Sequence, residues 1–420
     1  MKIHFIGIGG IGVSALAQYY LEKGHKISGS DLVSSEITEA LRKQGAKLLV
    51  GEHKPQNISK DVDLVIYSPA VQKDNPELKT AIVQGPTLNI KTLSYPEALG
   101  ELTKQYFTIA IAGTHGKSTT TAMIGLLLTK AGLDPTVIVG TKIKEFNNSN
   151  FRMGQSKYFI IEADEHFGSF LNYYPDIAVI TNIEPDHLDY YKNFNNVKKA
   201  FAKFIKKLKP GGLLITEKEY KKIKDAERLR KILKVPGKHN ISNALAALAV
   251  ARALKISDKI SFKALSEYKG SWRRFETFKI SYSKPYTLIS DYAHHPTEVK
   301  VTLKAAREKY LRKKIWCVFQ PHQYHRTYHL FNEFVRVCRQ IPIHKLIITD
   351  IYTVPGRESE KIIKKVNSEK LVKTIKNKKV IYLEKEKIIN YLKDNLQSGE
   401  VVIIMGAGDI YSLVDFLKEI

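Results

Sequence analysis

Two glycine-rich segments constrain this chain most, because each joins a strand-like apolar run to a helical pattern. The first, MKIHFIGIGGIG, contains G-x-G-x-x-G at Gly7, Gly9 and Gly12. The second, FTIAIAGTHGKSTT, runs from an apolar strand through Gly113 to Lys117 at the start of a helix. Strand, glycine turn and helix form the basic unit of a doubly wound α/β sheet, and the N–H groups of such a turn bind phosphate. We therefore expect α/β sheets with two phosphate sites.

The first loop does not identify its ligand on its own. Asp31 ends the next apolar run, KISGSD, where an acid that binds the ribose of a nicotinamide dinucleotide is expected. This pattern favours an oxidoreductase. Any diphosphate linked to a ribose makes the same demand on a glycine loop, however, and a tight turn without a ligand is a third interpretation.

The second loop favours a nucleoside triphosphate. Its backbone N–H groups would bind phosphate oxygens, while its lysine would contact a β- or γ-phosphate and its hydroxyls would lie near a metal ion. The loop is shorter than the usual G-x-x-x-x-G-K-[ST] pattern. We expect this site to consist of Gly113, Thr114, His115, Gly116, Lys117, Ser118 and Thr119.

Two acidic segments follow strand-like runs. EADE, residues 162–165, comes after YFII, and EPDH, residues 184–187, comes after IAVITNI. Because ligands bind at the carboxyl ends of parallel strands, we expect both segments at the edge that carries the second loop. Each acid could instead cap a helix or lie in solvent, but together they favour Mg²⁺, which prefers oxygen ligands. A dehydrogenase would need only the first glycine loop, and a simple NTPase only the second.

The alternation of strand-like and helical patterns predicts three α/β domains. One series occupies the first hundred residues, and new series begin at YFTIAIAG and after SWRRFE. A chain of 420 residues agrees with this number at roughly 150 residues per domain. We expect domains at residues 1–100, 101–273 and 274–420.

The amino-acid composition indicates which classes of partner the protein can have. Lys and Arg outnumber Asp and Glu by 67 to 42, for a net charge of +25. The lysines are spread over many amphipathic segments, which is typical of solvated helix faces and not of a nucleic-acid-binding arm. Cys317 and Cys338 have neither zinc nor disulfide spacing. With no signal-peptide pattern or membrane-length apolar run, we expect a cytoplasmic protein without nucleic-acid or membrane partners.

The chain resembles the Mur ligases, the ATP-dependent amide-forming ligases of peptidoglycan precursor synthesis, over essentially its whole length. The matching stretches, in order, are GIGGIG, AGTHGKSTT, EADE, TNIEPDHLD, GKHNISNALAA, WRRFE, DYAHHPTE, FQPH and MGAGDI. The resemblance implies an N-terminal Rossmann-like domain that binds a UDP-sugar and a central P-loop ATPase-like α/β domain. It also implies a C-terminal Rossmann-like α/β domain that contributes to binding of the amino acid.

The resemblance also implies roles for single residues. It implies UDP-sugar contacts at Gly9, Gly10, Ile11, Gly12, Asp31 and Ser68. It adds Asn240, Arg274 and Asp291 to the ATP site. It implies a magnesium site at Ser118, Glu162 and His187, and catalytic roles for Lys117, Glu162, His187 and Arg274. Alternatively, Asn240 could stabilise its helix, Asp291 could close a turn, and His187 could be a loop histidine without a ligand.

The segment FQPHQYHRT departs most from the family pattern, because Gln323 and His325 stand where relatives often have Arg and Thr. The fork of an arginine matches an α-carboxylate, so we expect Arg326 to bind the amino acid, with His322 assisting and Tyr352 as a wall. The alternative is that Arg326 pairs with an acid of its own domain.

The implied substrates are ATP with Mg²⁺, UDP-N-acetylmuramate and L-alanine, in a monomer or homodimer. The alternatives are a Mur-type ligase for another amino acid or for a recycled peptide, a folylpolyglutamate-like enzyme, and an NAD-dependent oxidoreductase.

Overall fold

A computed structural model of the chain describes residues 1–88, 90–281, 284–354, 358 and 360–419. The chain forms two compact units. The first consists of Met1–Ile183, Lys198–Lys224 and Ala244–Leu265, and the second of Glu184–Val197, Asp225–Asn243 and Ser266–Ile420. No helix in the described residues is both long and apolar enough to cross a membrane.

Within the described residues, the strands form three sheets. In chain order the strands are β1 Lys2–Ile6, β2 Lys26–Asp31, β3 Lys47–Val50, β4 Leu64–Tyr67, β5 Lys91–Ser94, β6 Phe107–Ala112, β7 Thr136–Ile143, β8 Ser149–Arg152, β9 Tyr158–Glu162, β10 Ile177–Ile180, β11 Leu213–Thr216, β12 Glu276–Ile280, β13 Tyr286–Asp291, β14 Ile315–Phe319, β15 Lys345–Ile348, β16 Val380–Tyr382 and β17 Val401–Met405.

Helices connect these strands. In chain order they are α1 Ile11–Glu22, α2 Glu36–Lys43, α3 Pro76–Leu88, α4 Tyr95–Gln105, α5 Lys117–Lys130, α6 Leu188–Tyr191, α7 Phe194–Ile205, α8 Glu217–Tyr220, α9 Ala226–Ile232, α10 Lys238–Ala253, α11 Asp258–Glu267, α12 Pro296–Lys309, α13 Tyr324–His329, α14 Phe331–Arg339, α15 Glu360–Ile363, α16 Ser368–Ile375, α17 Ile388–Asn395 and α18 Ser412–Glu419.

The first sheet has the strand order β3-β2-β1-β4-β5, with every pair parallel. The chain therefore winds outward in both directions from β1, so the loop after β1 lies at the point where the winding reverses, which is the usual ligand site of such sheets. Ile3, Phe5 and Ile6 of β1 are fully buried. The predicted doubly wound fold is confirmed here.

The second sheet, in the same unit, has the order β11-β10-β6-β9-β7-β8. β6 lies between β9 and β10 and is parallel to both, whereas β7 and β8 are antiparallel. The second glycine loop follows β6 and the EADE segment begins at the end of β9. Both therefore lie at one edge of the sheet, as the sequence predicted.

The third sheet belongs to the second unit and has the order β12-β13-β17-β14-β15-β16. β12 and β13 are antiparallel, and the other pairs are parallel. One face packs on α12, α14 and α16, where Phe319, Phe334 and Leu371 are fully buried. The three sheets fall within the three predicted domain ranges, whose boundaries stay a prediction.

The turn after β6 requires glycine at position 113. Gly113 has a φ of +139°, and a Cβ atom built on it would lie 2.0 Å from Thr181 Oγ1. We expect Gly113→Ala to destabilise the protein by about 2–5 kcal/mol, through backbone strain and overlap. Gly132→Ala is the matched control, because Gly132 has a φ of +75° but no atom within 4 Å of its added Cβ. Calorimetry should show a clearly larger fall in melting temperature for Gly113→Ala, and equal falls would contradict this account.

Candidate active site

The second glycine loop is held by hydrogen bonds from residues that follow β10. Asn182 accepts from the backbone N–H of Thr114 through its carbonyl at 3.1 Å and from that of His115 through Oδ1 at 2.9 Å. The Thr181 hydroxyl donates to the His115 carbonyl at 2.6 Å. Gly116 closes the turn with a φ of +82° directly before α5. These bonds fix the conformation of the loop and occupy the N–H groups of Thr114 and His115.

Lys117 follows this loop directly, and its ammonium is surrounded by hydrogen-bond acceptors. Its Nζ donates to the Gly113 carbonyl at 2.7 Å and to Glu165 at 2.8 Å, and Asp164 lies 3.5 Å away. Burial alone would lower the pKa of Lys117, but the carboxylates, Glu165 foremost, outweigh burial and raise the pKa. The ammonium is therefore charged at neutral pH, as a phosphate-binding group must be.

Glu162 and Ser118 form the part of the site that fits a magnesium ion. The Ser118 hydroxyl donates to Glu162 Oε1 at 2.9 Å, and the N–H of Gly140 donates to Oε2 at 2.7 Å. A hydroxyl and a carboxylate side by side at a phosphate loop are the oxygen ligands that Mg²⁺ prefers. His187, the third predicted ligand, belongs to the second compact unit and has a φ of +50°.

The first glycine loop is ordered by Asp31, whose Oδ2 accepts from the backbone N–H of Gly9 at 2.8 Å. Ser68 follows β4 and lies against Gly7, where an added Cβ would be 3.0 Å from the Ser68 Cβ. Gly10 is the N-cap of α1. Asp31 and Ser68 thus flank the loop, and Asp31 binds the loop backbone in this structure. Their contacts with a UDP-sugar stay a prediction.

Two residues that contact this loop were not predicted. The Asn150 side chain donates to the Ile11 carbonyl and, at 3.0 Å, to Ser14 Oγ. The Tyr95 ring lies against Gly12, where an added Cβ would be 2.9 Å from both Cζ and Oη. Both residues come from distant segments with no motif of their own, so the sequence offered no signal for them.

Two residues of the second unit that were predicted to contact the nucleotide, Asp291 and Asn240, form hydrogen bonds with nearby backbone groups. Asp291 accepts from the N–H groups of Phe275 at 2.8 Å and Ala293 at 2.9 Å, and burial raises its pKa to about 6. This is the turn-closing arrangement weighed as the alternative. The Asn240 amide donates to the Pro236 carbonyl at 2.7 Å, at the start of α10.

Arg274 and its neighbour Arg273 have different surroundings. Arg274 is partly exposed, with its guanidinium 5.0 Å from the Tyr292 ring centroid. Arg273, which was not predicted, is buried and donates to the Gly406 carbonyl at 2.5 Å. Its guanidinium lies 4.9 Å from the ring centroids of both Tyr292 and Tyr411. In this structure Arg273 anchors the MGAGD loop, whereas Arg274 is the more accessible arginine of WRRFE.

Arg326 already has a carboxylate partner. Its Nε donates to Asp186 Oδ1 at 3.0 Å and its Nη2 to Oδ2 at 3.5 Å, with both side chains buried. Burial alone would raise the pKa of Asp186, but Arg326 outweighs burial and holds the pKa well below its usual range. Arg326 is thus paired with an acid, although Asp186 lies in the predicted range 101–273 and Arg326 in the range 274–420. Its role in binding the amino acid stays a prediction.

The other predicted amino-acid residues lie beside this ion pair. Nη1 of Arg326 lies 3.2 Å from His322 Nδ1, and the His322 ring stacks on Tyr352 with centroids 5.4 Å apart. Gln323 is buried with a φ of +70°, a strained value for a residue with a side chain. The structure brings His322, Arg326 and Tyr352 together, and Arg326 also lines a small solvent-open cleft formed by the segment 185–189 and α13.

Three α/β sheets, with a mostly buried lysine in a glycine loop that joins a strand to a helix, are typical of proteins that bind phosphate groups. The comparisons with family models make the class specific. The Mur ligase family catalytic domain matches residues 2–107, the Mur ligase middle domain matches 111–232, and the Mur ligase, glutamate ligase domain matches 273–408. The chain belongs to the Mur ligase family.

Individual relatives point to one member of this family. The chain is 42% identical to UDP-N-acetylmuramate--L-alanine ligase of Acetivibrio thermocellus, covering 99% of this chain and 96% of that one. The crystal structure of UDP-N-acetylmuramate-alanine ligase MurC from Thermotoga maritima matches with a TM-score of 0.79 and 28% identity, over 100% and 99% of the chains. A murein peptide ligase from Psychrobacter arcticus has a TM-score of 0.72 over 100% and 99% of the chains, but at 22% identity it supports the fold alone.

The buried ion pair of Asp186 and Arg326 should contribute strongly to the free energy of unfolding. Asp186→Asn would leave Arg326 buried without a counter-charge, so we expect a loss of about 3–5 kcal/mol. Because the Asp186 pKa is lower in the folded state, this stabilisation is present above the unfolded pKa of about 4 and is lost as the pH falls.

The matched control for this pair is Asp258→Asn. Asp258 pairs with Arg252 through two hydrogen bonds on the exposed surface, so we expect a cost below about 1 kcal/mol. Thermal unfolding at pH 7 should show a much larger shift for Asp186→Asn. A small shift for both variants would mean that the buried pair contributes little to stability.

Proposed function

We propose that this protein joins L-alanine to the lactyl carboxylate of UDP-N-acetylmuramate and converts ATP to ADP and phosphate. The observation that carries the proposal is the Lys117 phosphate loop in a chain whose whole length matches L-alanine-adding relatives. An NAD-dependent oxidoreductase would leave this second loop without a role.

The reaction needs an activated carboxylate, because an oxide is a poor leaving group. Transfer of the γ-phosphoryl group from ATP to a carboxylate oxygen forms an acyl phosphate and releases ADP. The neutral amine of L-alanine then attacks the acyl carbon, phosphate leaves, and the amine loses a proton. Little covalent chemistry falls to the protein, so positioning and charge stabilisation supply the rate enhancement.

The second glycine loop supplies the positive charge for this transfer. Lys117 keeps its proton and would contact the ATP phosphates together with the loop residues Gly113, Thr114, His115 and Gly116. The N–H groups of Thr114 and His115 donate to Asn182 in this structure, so phosphate oxygens would have to share or replace that partner. The ammonium is bound to Glu165 in this structure, so ATP phosphates would share or replace that partner. Ser118 and Thr119, the first hydroxyl residues of α5, complete the proposed phosphate site.

Ser118 and Glu162 are the residues that would hold Mg²⁺ in the first unit, and we propose His187 as a further ligand. When bound, the ion would neutralise charge on the phosphate oxygens. Glu162 is oriented for this role by the Gly140 N–H, which holds Oε2 while Ser118 contacts Oε1.

The proposal places the UDP-sugar in the first predicted domain and the amino acid in the third, with ATP contacted by residues of the second and third. The first glycine loop, Gly9 to Gly12, would bind the UDP diphosphate, with Asp31 ordering the loop and Ser68 near the uridine. Asn240, Arg274 and Asp291 are proposed as nucleotide-contacting residues outside the loop. Because Asp186 holds the Nε side of Arg326, the Nη1 side next to His322 is the part we propose for the α-carboxylate of the amino acid.

We also propose that the protein acts in the cytoplasm, where ATP and UDP-sugars are made, as a monomer or homodimer. Its substrates are small molecules, and the proposal includes no nucleic-acid or membrane partner.

Phosphate release tests the substrate assignment. With ATP, Mg²⁺, UDP-N-acetylmuramate and single amino acids, we expect L-alanine to give the highest kcat/KM. Glycine and L-serine should be weaker by roughly ten-fold to a few hundred-fold, because one methyl or hydroxyl contributes only about 1–3 kcal/mol. A preference for L-glutamate or a tripeptide would contradict the assignment. Micromolar binding of NADH without binding of the UDP-sugar would favour the oxidoreductase.

A substitution at Lys117 tests whether ATP and the UDP-sugar bind at two separate glycine loops. Lys117→Ala should lower phosphate release several-hundred-fold or more, because the lost charge meets the phosphoryl transition state. Affinity for UDP-N-acetylmuramate, measured by calorimetry, should be nearly unchanged, since Lys117 contacts Gly113 and Glu165 and not the first loop.

Lys130→Ala, at the other end of α5, is the matched control and should retain activity. Circular dichroism checks that both variants fold. A comparable loss of UDP-sugar binding in Lys117→Ala would show that the two sites are not separate.

A further inference from the structure

Tyr95 is the first residue of α4, and its ring packs on the first glycine loop. A Cβ atom on Gly12 would lie 2.9 Å from both Oη and Cζ of Tyr95. The ring therefore fills the space beside the second residue of α1, next to the proposed diphosphate site. Packing explains why residue 12 has no side chain, but it does not require a hydroxyl on the ring.

The position of Tyr95 is fixed by its helix. At the start of α4, Glu97 accepts from the Ser94 N–H at 2.8 Å and from the Ser94 hydroxyl at 2.6 Å. Further along, Gly100 lies so close to Asn172 that an added Cβ would be 2.5 Å from its carbonyl oxygen. Asn172 ends the 3₁₀ segment that follows the EADE acids. Helix α4 thus contacts the first glycine loop through its first residue, Tyr95. It also packs, through Gly100, against the 3₁₀ segment that follows EADE.

The Tyr95 hydroxyl has no hydrogen-bond partner in the part of the chain that the structure describes, although the residue is half-buried. Burial, and then the charges of Glu162 and Asp164, raise the pKa of Tyr95. The phenol therefore keeps its proton at neutral pH and can donate a hydrogen bond. A neutral donor between a diphosphate loop and a carboxylate cluster can approach an anionic substrate without repelling it.

We propose that the Tyr95 hydroxyl donates a hydrogen bond to an anionic oxygen of the nucleotide-sugar substrate. The inference rests on the proposed function, which supplies UDP-N-acetylmuramate as the ligand. Two groups of that molecule have the required chemistry. One is the diphosphate, beside the N-terminus of α1, and the other is the lactyl carboxylate, which must reach the Glu162 side of Tyr95 to receive the phosphoryl group.

Tyr95→Phe tests the proposal because it keeps the ring that packs on Gly12 and removes only the hydroxyl. Calorimetry measures the affinity of wild type and variant for UDP, UDP-N-acetylglucosamine and UDP-N-acetylmuramate. A lost hydrogen bond to a charged group should weaken binding by about ten-fold to one-hundred-fold. Equal weakening for all three ligands assigns the hydroxyl to the diphosphate, and weakening for UDP-N-acetylmuramate alone assigns it to the lactyl carboxylate. In both cases the KM for ATP should not change.

Tyr106→Phe is the matched control. Tyr106 lies in the same unit, and its hydroxyl bonds to that of Tyr19 at 2.9 Å, so its loss should leave UDP-sugar affinity unchanged. Equal affinities of wild type and Tyr95→Phe for all three ligands would overturn the inference, as would an equal loss in Tyr106→Phe. Failure of the wild-type protein itself to bind UDP-N-acetylmuramate would overturn the proposed function instead.

Discussion

The hydrogen bonds between the end of β10 and the loop after β6 are the interaction on which the candidate ATP site depends. Asn182 and Thr181 together hold the backbone of Thr114 and His115. These contacts satisfy backbone groups that would otherwise be buried without partners. They also hold the turn in one conformation through contacts within the protein itself, which would lower the conformational entropy cost of binding a nucleotide there.

Lys117 is a mostly buried charge whose counter-charge comes from the protein itself. An ammonium without a partner in this position would lower the stability of the folded protein, and the carboxylate of Glu165 supplies that partner. In the proposed function this contact would compete with phosphate for the ammonium. Stability of the free protein and affinity for ATP would then be opposed at this residue, through the carboxylates of Glu165 and Asp164.

Much of the fold could be predicted because each sheet contains at least one long apolar strand that leads into a recognisable loop. The short strands β3 and β5 were not predicted, since KLLV and KTLS each have four residues and only partial burial. The partners of site residues were harder to predict. Arg326 pairs with Asp186, 140 positions away, and that contact depends on which loops the fold brings together. The motifs indicated the chemistry of these residues but not their partners.

Gly140 couples two positions that are 22 residues apart in the chain. A Cβ atom at position 140 would lie 2.7 Å from Glu162 Oε2, in the space that the carboxylate occupies. A larger residue here would push the Glu162 side chain away from Ser118, unless the acid were also shortened to aspartate. Among homologous chains, the two positions should therefore vary together: glycine with glutamate, and alanine only where the acid is one methylene shorter.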